Sequence, residues 1–164
     1  MKKILAVLLM TALLLGSCLP ALAEAEYATT REFLAILDEA GMKYTNLGVD
    51  EDGDEHIMIR NPDADLSYTV HYYFEGDQEH TSIFAWNLIT FDPANKLMVM
   101  HVCNTLNYRH KYGCFYVDET DNTVTCSMNL IYRDDNVGLV NTEAMVYLMG
   151  ILEEAMPMLQ VYDK

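Results

Sequence analysis

The stretch Leu66-Ser67-Tyr68-Thr69-Val70-His71-Tyr72-Tyr73-Phe74 decides the fold class. Successive side chains of a strand point to opposite faces, so Leu66, Tyr68, Val70, Tyr72 and Phe74 share one face and Ser67, Thr69, His71 and Tyr73 the other. The pattern predicts a strand with one apolar and one mixed face. Gly76-Asp77 then turns the chain into a second run from Ser82 to Phe91, with Ile83, Ala85 and Ile89 on one side and Phe84, Trp86 and Leu88 on the other. Apolar residues on both sides predict a central strand covered on both faces.

Upstream of this pair lies the acidic run Asp50-Glu51-Asp52-Gly53-Asp54-Glu55. Tyr44, Leu47 and Val49 precede it, and Ile57 and Ile59 follow it, alternating with His56, Met58 and Arg60. Two strands joined by a Gly-containing turn fit best. Asp50, Asp52 and Asp54 alternate as in a calcium loop, but Gly53 stands at the fourth place instead of the sixth, and Asn61 replaces the bidentate Glu of the twelfth. The run is therefore read as a solvated hairpin turn. Still earlier, Thr29-x-x-Glu32 has the form of a capping box, and Phe33, Ile36, Leu37 and Ala40 follow at helical spacing up to Gly41.

Downstream, Asp92-Pro93 predicts a helix start, with the carboxylate as cap and proline in the first turn. Met98, Val99, Val102, Cys103 and Leu106 form the expected buried face of that helix. Gly113 opens a hairpin in which Phe115 and Val117 share a face with Val124, Cys126, Met128 and Leu130. If Val117 pairs with Val124, Phe115 opposes Cys126 and Cys114 points away, which disfavours a Cys114–Cys126 disulfide. Asn141 is the expected cap of a last helix. One stripe of that helix holds Ala144, Leu148, Ile151 and Ala155, and a second holds Met145, Met149, Leu152 and Met156. Together they are wider than one helix-on-sheet contact requires, and Gly150 offers close approach to another backbone. Pro157 ends or kinks the segment. The order helix, four strands, helix, two strands, helix predicts an α+β domain with a mainly antiparallel sheet.

The N-terminus predicts export. Lys2 and Lys3 precede an apolar run from Ile4 to Leu15, followed by Pro20 and Ala21-Leu22-Ala23. These are the head, middle and cleavable end of a secretory signal, and the run is shorter than the roughly 18 residues a spanning helix needs. The expected division is a signal peptide over residues 1–23 and a single domain over residues 24–164. A rival cut precedes Cys18, because Leu15-Gly16-Ser17-Cys18 resembles a lipobox, and it would leave a lipid-anchored protein of the cell envelope. Cutting after Ala23 removes one of the four cysteines. Three thiols then remain, an odd number, in an exported protein.

The formal charge of −15 disfavours nucleic acid and an anionic membrane surface as partners, since both are bound through clustered Lys and Arg. Cys103, Cys114 and Cys126 lack metal-ligand spacing. His56, His71, His80, His101 and His110 form no zincin motif, and His101 and Cys103 lie on different faces of their helix. Hydrolase and nucleotide motifs are absent. The sequence thus predicts no catalytic, cofactor-binding or metal residues. Tyr68, Tyr72, Tyr73, Phe84 and Trp86 make a dense aromatic group that suits core packing or, alternatively, a ligand groove.

Asn104-Thr105-Leu106-Asn107, then Gly113-Cys114-Phe115-Tyr116-Val117-Asp118 and Val124, resemble the YbjN family, described as bacterial sensory transduction regulators. The resemblance implies a fold similar to type III secretion chaperones, homodimers that bind protein segments without catalysis, and it brings no catalytic residues with it. Asn104 and Asn107 are read as structural groups near a helix end. The expectation is a non-enzymatic, chaperone-like or regulatory protein-binding module of the bacterial envelope, dimeric through the wide face of its last helix. The alternative is an exported sensor that binds a small ligand on the aromatic sheet face.

Overall fold

The computed structural model describes residues 24–61, 67–133 and 136–164. The export signal expected over residues 1–23, and Leu66 at the head of the quoted strand, lie outside the described residues. The chain runs α1 (Ala28–Glu39), β1 (Thr45–Val49), β2 (Glu55–Arg60), β3 (Thr69–Phe74), β4 (His80–Thr90), a 3₁₀ turn (Pro93–Asn95), α2 (Lys96–Arg109), β5 (Cys114–Asp118), β6 (Thr123–Ile131), α3 (Val137–Leu159) and a last 3₁₀ turn (Gln160–Tyr162). The strands form one six-stranded sheet in the order β1-β2-β3-β4-β6-β5. Every pairing is antiparallel, so the expected α+β class holds.

The alternation of β3 is realised as predicted: Val70, Tyr72 and Phe74 are buried, and Thr69, His71 and Tyr73 are half-buried. Phe33 of α1 packs on the buried face, its ring 4.9 Å from Tyr72 and 5.5 Å from Phe74. The hairpin register also follows the sequence, with Val117 opposite Val124 and Phe115 opposite Cys126. Cys114 is exposed, and Cys103, Cys114 and Cys126 are free thiols. Asp92 caps its turn by accepting a bond from the Ala94 amide at 2.9 Å, as the Asp-Pro pair predicts. Met98, expected on the buried face of α2, is exposed.

β4 is central but not covered twice. Phe84 is half-buried and Trp86 is 38% exposed, while Leu88, expected beside them, is buried. The reason is a bulge between Ala85 and Ile89, where Asn87 takes a positive φ of 52°. Ala85 to Ile89 is four steps along β4 where Cys126 to Val124 is two along β6, so the bulge takes up two extra residues; Ile89 keeps its expected face and Leu88 turns into the core beside it.

Two helices start before their expected caps, α1 by two residues and α3 by five. Thr29 lies inside α1 and the capping box does not form; the helix begins at Ala28, preceded by Tyr27. Its N-terminus is held instead by Glu55 of β2, which is fully buried and accepts bonds from the Glu26 and Tyr27 amides at 2.8 and 2.9 Å. A buried carboxylate needs such donors, and free amides at a helix start need such an acceptor. Glu55 therefore does not belong to a solvated turn. Asn141 is likewise internal to α3, bonding the Val137 carbonyl at 3.0 Å, and Glu32 of α1 accepts a bond from the Gly138 amide at 3.1 Å.

The wide face of α3 is consumed inside the molecule. Ala144, Met145, Leu148, Ile151, Leu152, Ala155 and Met156 are all buried, and α1 supplies the surface that the sheet alone cannot. The glycine that permits close approach is Gly138, where a Cβ would stand 2.7 Å from Ile36 Cδ1 and 3.1 Å from the Glu32 carbonyl oxygen. Gly150 faces open space. α3 has the length and composition of a spanning helix, yet its two apolar stripes are core. Pro157 sits in its last turn without ending it.

Candidate functional site

With α1 and α3 packed on one face of the sheet, the other face carries side chains that nothing covers among the described residues. Strand periodicity brings them together: His56 and Met58 from β2, His71 and Tyr73 from β3, Phe84 and Trp86 from β4. The register sets His56 opposite Tyr73, Met58 opposite His71, and His71 opposite Phe84. Cross-strand partners of this kind have Cβ atoms about 5 Å apart, close enough for rings to touch.

The contacts form a continuous path. His56 Nε2 and His71 Nδ1 are 2.9 Å apart. The His56 ring stacks on Tyr73 at 4.3 Å, Tyr73 meets Phe84 edge-on at 5.9 Å, and Phe84 stacks on Trp86 at 4.3 Å with 11° between planes. Burial raises the pKa of the Tyr73 hydroxyl, with the nearby Trp86 indole opposing. Flat rings interlocked in this way lose little side-chain freedom on contact, which suits a recognition surface.

Electrostatics keep this face neutral beside an acidic turn. Burial lowers the pKa of His56, with the nearby Asp50 charge opposing, and burial followed by the neighbouring His56 lowers that of His71. Both rings are thus uncharged at neutral pH. The turn itself is structured: Asp50 Oδ1 accepts the amides of Asp52 and Asp54, both at 3.0 Å, and the Tyr27 hydroxyl donates to the Gly53 carbonyl at 2.6 Å. A shallow concavity of about 330 Å³ lies at the β1–β2 end of the sheet, lined by Lys43, Tyr44, Thr45, Met58, Arg60 and Asn61.

Other residues singled out by sequence are dispersed. Tyr68 and Tyr72 are buried on the core face while Trp86 lies on the opposite one, so these three residues line no common groove. His101 is exposed and Cys103 buried, and burial pushes the Cys103 and Cys126 thiols up to about 11 and about 12. Thiols raised so far carry almost no thiolate at neutral pH and are poor nucleophiles. Asn107 has a structural role: its side-chain oxygen accepts the Phe115 amide at 2.7 Å and its nitrogen donates to the Phe115 carbonyl at 2.9 Å. It thereby pairs both backbone groups of one residue on the exposed edge of β5, a means of blunting a sheet edge. Asn104 is exposed.

The motif that Asn107 closes is part of a wider match. A family model described as "Putative bacterial sensory transduction regulator" covers residues 31–156. The chain belongs to the YbjN family. That match spans the whole sheet, α2 and most of α1 and α3, so the open face is a feature of a YbjN domain and not of an appended segment. A search of curated proteins finds no significant match.

Part of this site is legible in the sequence. Alternation already puts His71 and Tyr73 on the face opposite the apolar one, and His56 and Met58 on the face opposite Ile57 and Ile59. The missing element was register between β2 and β3, which places His56 diagonally across from His71.

Proposed function

We propose that this YbjN protein is an exported, non-enzymatic regulatory module of the bacterial envelope that binds an apolar protein segment on the open sheet face. One observation carries this reading: an uncovered, interlocked row of rings, from His56 through Tyr73 and Phe84 to Trp86, on a sheet whose opposite face is fully packed. The family description supports a regulatory role. The net charge of −15 and the Asp50–Asp54 turn beside His56 favour a segment flanked by Lys or Arg.

The homodimer expected through the last helix needs a different surface, since substituting Met145 by Glu would place a charge in the core and unfold the domain. Export rests on the pattern of residues 1–23, with cleavage after Ala23 or before Cys18. Intact mass of the mature chain and palmitate labelling distinguish the two.

A photo-crosslinking amino acid at position 86, compared with one at Leu97 on the far, exposed surface of α2, tests the binding face in the native envelope. A protein adduct specific to position 86, and lost on Phe84→Ser, is the expected result. Equal adducts at both positions, or none at 86, would contradict it.

A further inference from the structure

The His56–His71 contact is more than a spacer in the aromatic row. Two imidazoles 2.9 Å apart can share a hydrogen bond only if one nitrogen carries a proton and the other does not. No carboxylate hydrogen bond to either ring occurs among the described residues; the charge felt by His56 is that of Asp50, whose Oδ1 is occupied by two backbone amides. Met58 lies on the same face, two residues along β2 from His56 and directly across from His71. Directly opposed residues have Cβ atoms about 5 Å apart, which brings a flexible thioether within reach of the facing ring.

We propose that His56 and His71 are imidazole ligands of a copper(I) site on the open sheet face, with the Met58 thioether as third ligand. Nitrogens each about 2 Å from a shared ion at tetrahedral or trigonal angles stand roughly 3.3–3.5 Å apart. The pair needs to open by only about half an ångström from its present contact. The N–H that lies between the rings moves to the other nitrogen of its own imidazole, so binding to two neutral rings releases no net proton. Three neutral ligands in a half-buried setting favour a monovalent ion, and the thioether favours a soft one. This inference stands on the placement of His56, His71 and Met58 and does not depend on the protein-binding reading.

The Glu75, Asp77 and His80 group is a separate feature, in which His80 Nδ1 is bonded to Asp77 Oδ2 at 2.6 Å across the β3–β4 turn. It serves as the comparison site. The full chain carrying Cys114→Ser, which removes the exposed competing thiol, and Cys18→Ser, at a position outside the described residues, is titrated with copper(I) held by a chromophoric chelator. One equivalent should be taken up, and His56→Gln or His71→Gln should each weaken uptake by roughly tenfold or more. Met58→Leu should weaken copper(I) and leave zinc(II) unaffected. In the chain with native histidines, ring NMR signals of His56 and His71 should shift on copper addition while those of His80, His101 and His110 stay, a readout that needs no histidine variant to fold. Unchanged copper affinity in both histidine variants, or uptake lost on His80→Gln instead, would overturn the site and leave a hydrogen-bonded pair only. Equal binding of zinc, insensitive to Met58→Leu, would overturn the copper assignment.

Discussion

Tyr72 and Tyr73 are neighbours in sequence with the same side chain and opposite fates. Tyr72 is fully buried beneath Phe33, and Tyr73 is half-buried on a face that none of the described helices covers. The same contrast runs across the whole sheet: Ile57, Val70, Phe74, Ile83 and Ala85 build the core, while His56, His71, Phe84 and Trp86 form a surface richer in rings than the core face itself. Aromatic content therefore does not distinguish a core face from a recognition face. Helix coverage does, and coverage is decided by where three helices dock.

The largest expected effect separates the two faces by stability. Phe74→Ala should cost about 3–5 kcal/mol in urea unfolding, the usual loss for a fully buried aromatic. Phe84→Ala should cost about 1 kcal/mol, the scale of one stacked pair. Equal losses would mean that the open face is packed in solution. A smaller contrast applies to α3. Gly138→Ala should cost about 1–3 kcal/mol by overpacking the α1 contact, where the nearest backbone atom is 3.1 Å away. Gly150→Ala, which meets nothing within 4 Å, should gain about 0.5–1 kcal/mol in helix propensity.

Smaller still, and opposite in sign, are the two tyrosine hydroxyls. The Tyr72 hydroxyl is buried with no hydrogen-bond partner among the described residues, so Tyr72→Phe should raise stability by about 1 kcal/mol. Tyr73→Phe removes a half-buried hydroxyl that lies near the Trp86 indole and should lower it by about 0.5 kcal/mol. Thermal melts of the two variants should move in opposite directions.

The finest effect is on pH. His56 and His71 are held below their ordinary value of 6.5, so the unfolded chain binds more protons than the native one as pH falls. Their contribution is complete above about pH 6.5 and is lost on acidification toward their lowered native values. His80, raised by its bond to Asp77, acts in the reverse sense, its contribution fading as pH rises through its native value. In a His80→Gln background, the slope of stability against pH below 6.5 should flatten when His56 and His71 are replaced by Gln.

Much of this fold is written in the order of residues. The nine-residue alternation around Val70, the Asp92-Pro93 cap and the Val117–Val124 register all follow from local rules that tertiary contacts reinforce. The failures share one cause. Glu55 looks solvated in an acidic run, Thr29 looks like a cap and the α3 stripes look too wide, because in each case the partner lies far away in sequence: Glu26 and Tyr27 for Glu55, and α1 for α3. Leu88 departs for a local reason instead, since the two-residue bulge around Asn87, with its positive φ, turns that side chain into the core in a way that composition cannot show. The open site was half legible, its faces readable from alternation and its His56–His71 contact hidden until the register was known.

Trp86 is the one tryptophan in the chain, so intrinsic fluorescence reports on the open face alone. Acrylamide quenching of the dilute, folded protein measures directly whether that face is bare. The account predicts a readily quenched tryptophan that becomes protected when a bound protein segment covers Phe84 and Trp86. A shielded, blue-emitting tryptophan in the free monomer would contradict it.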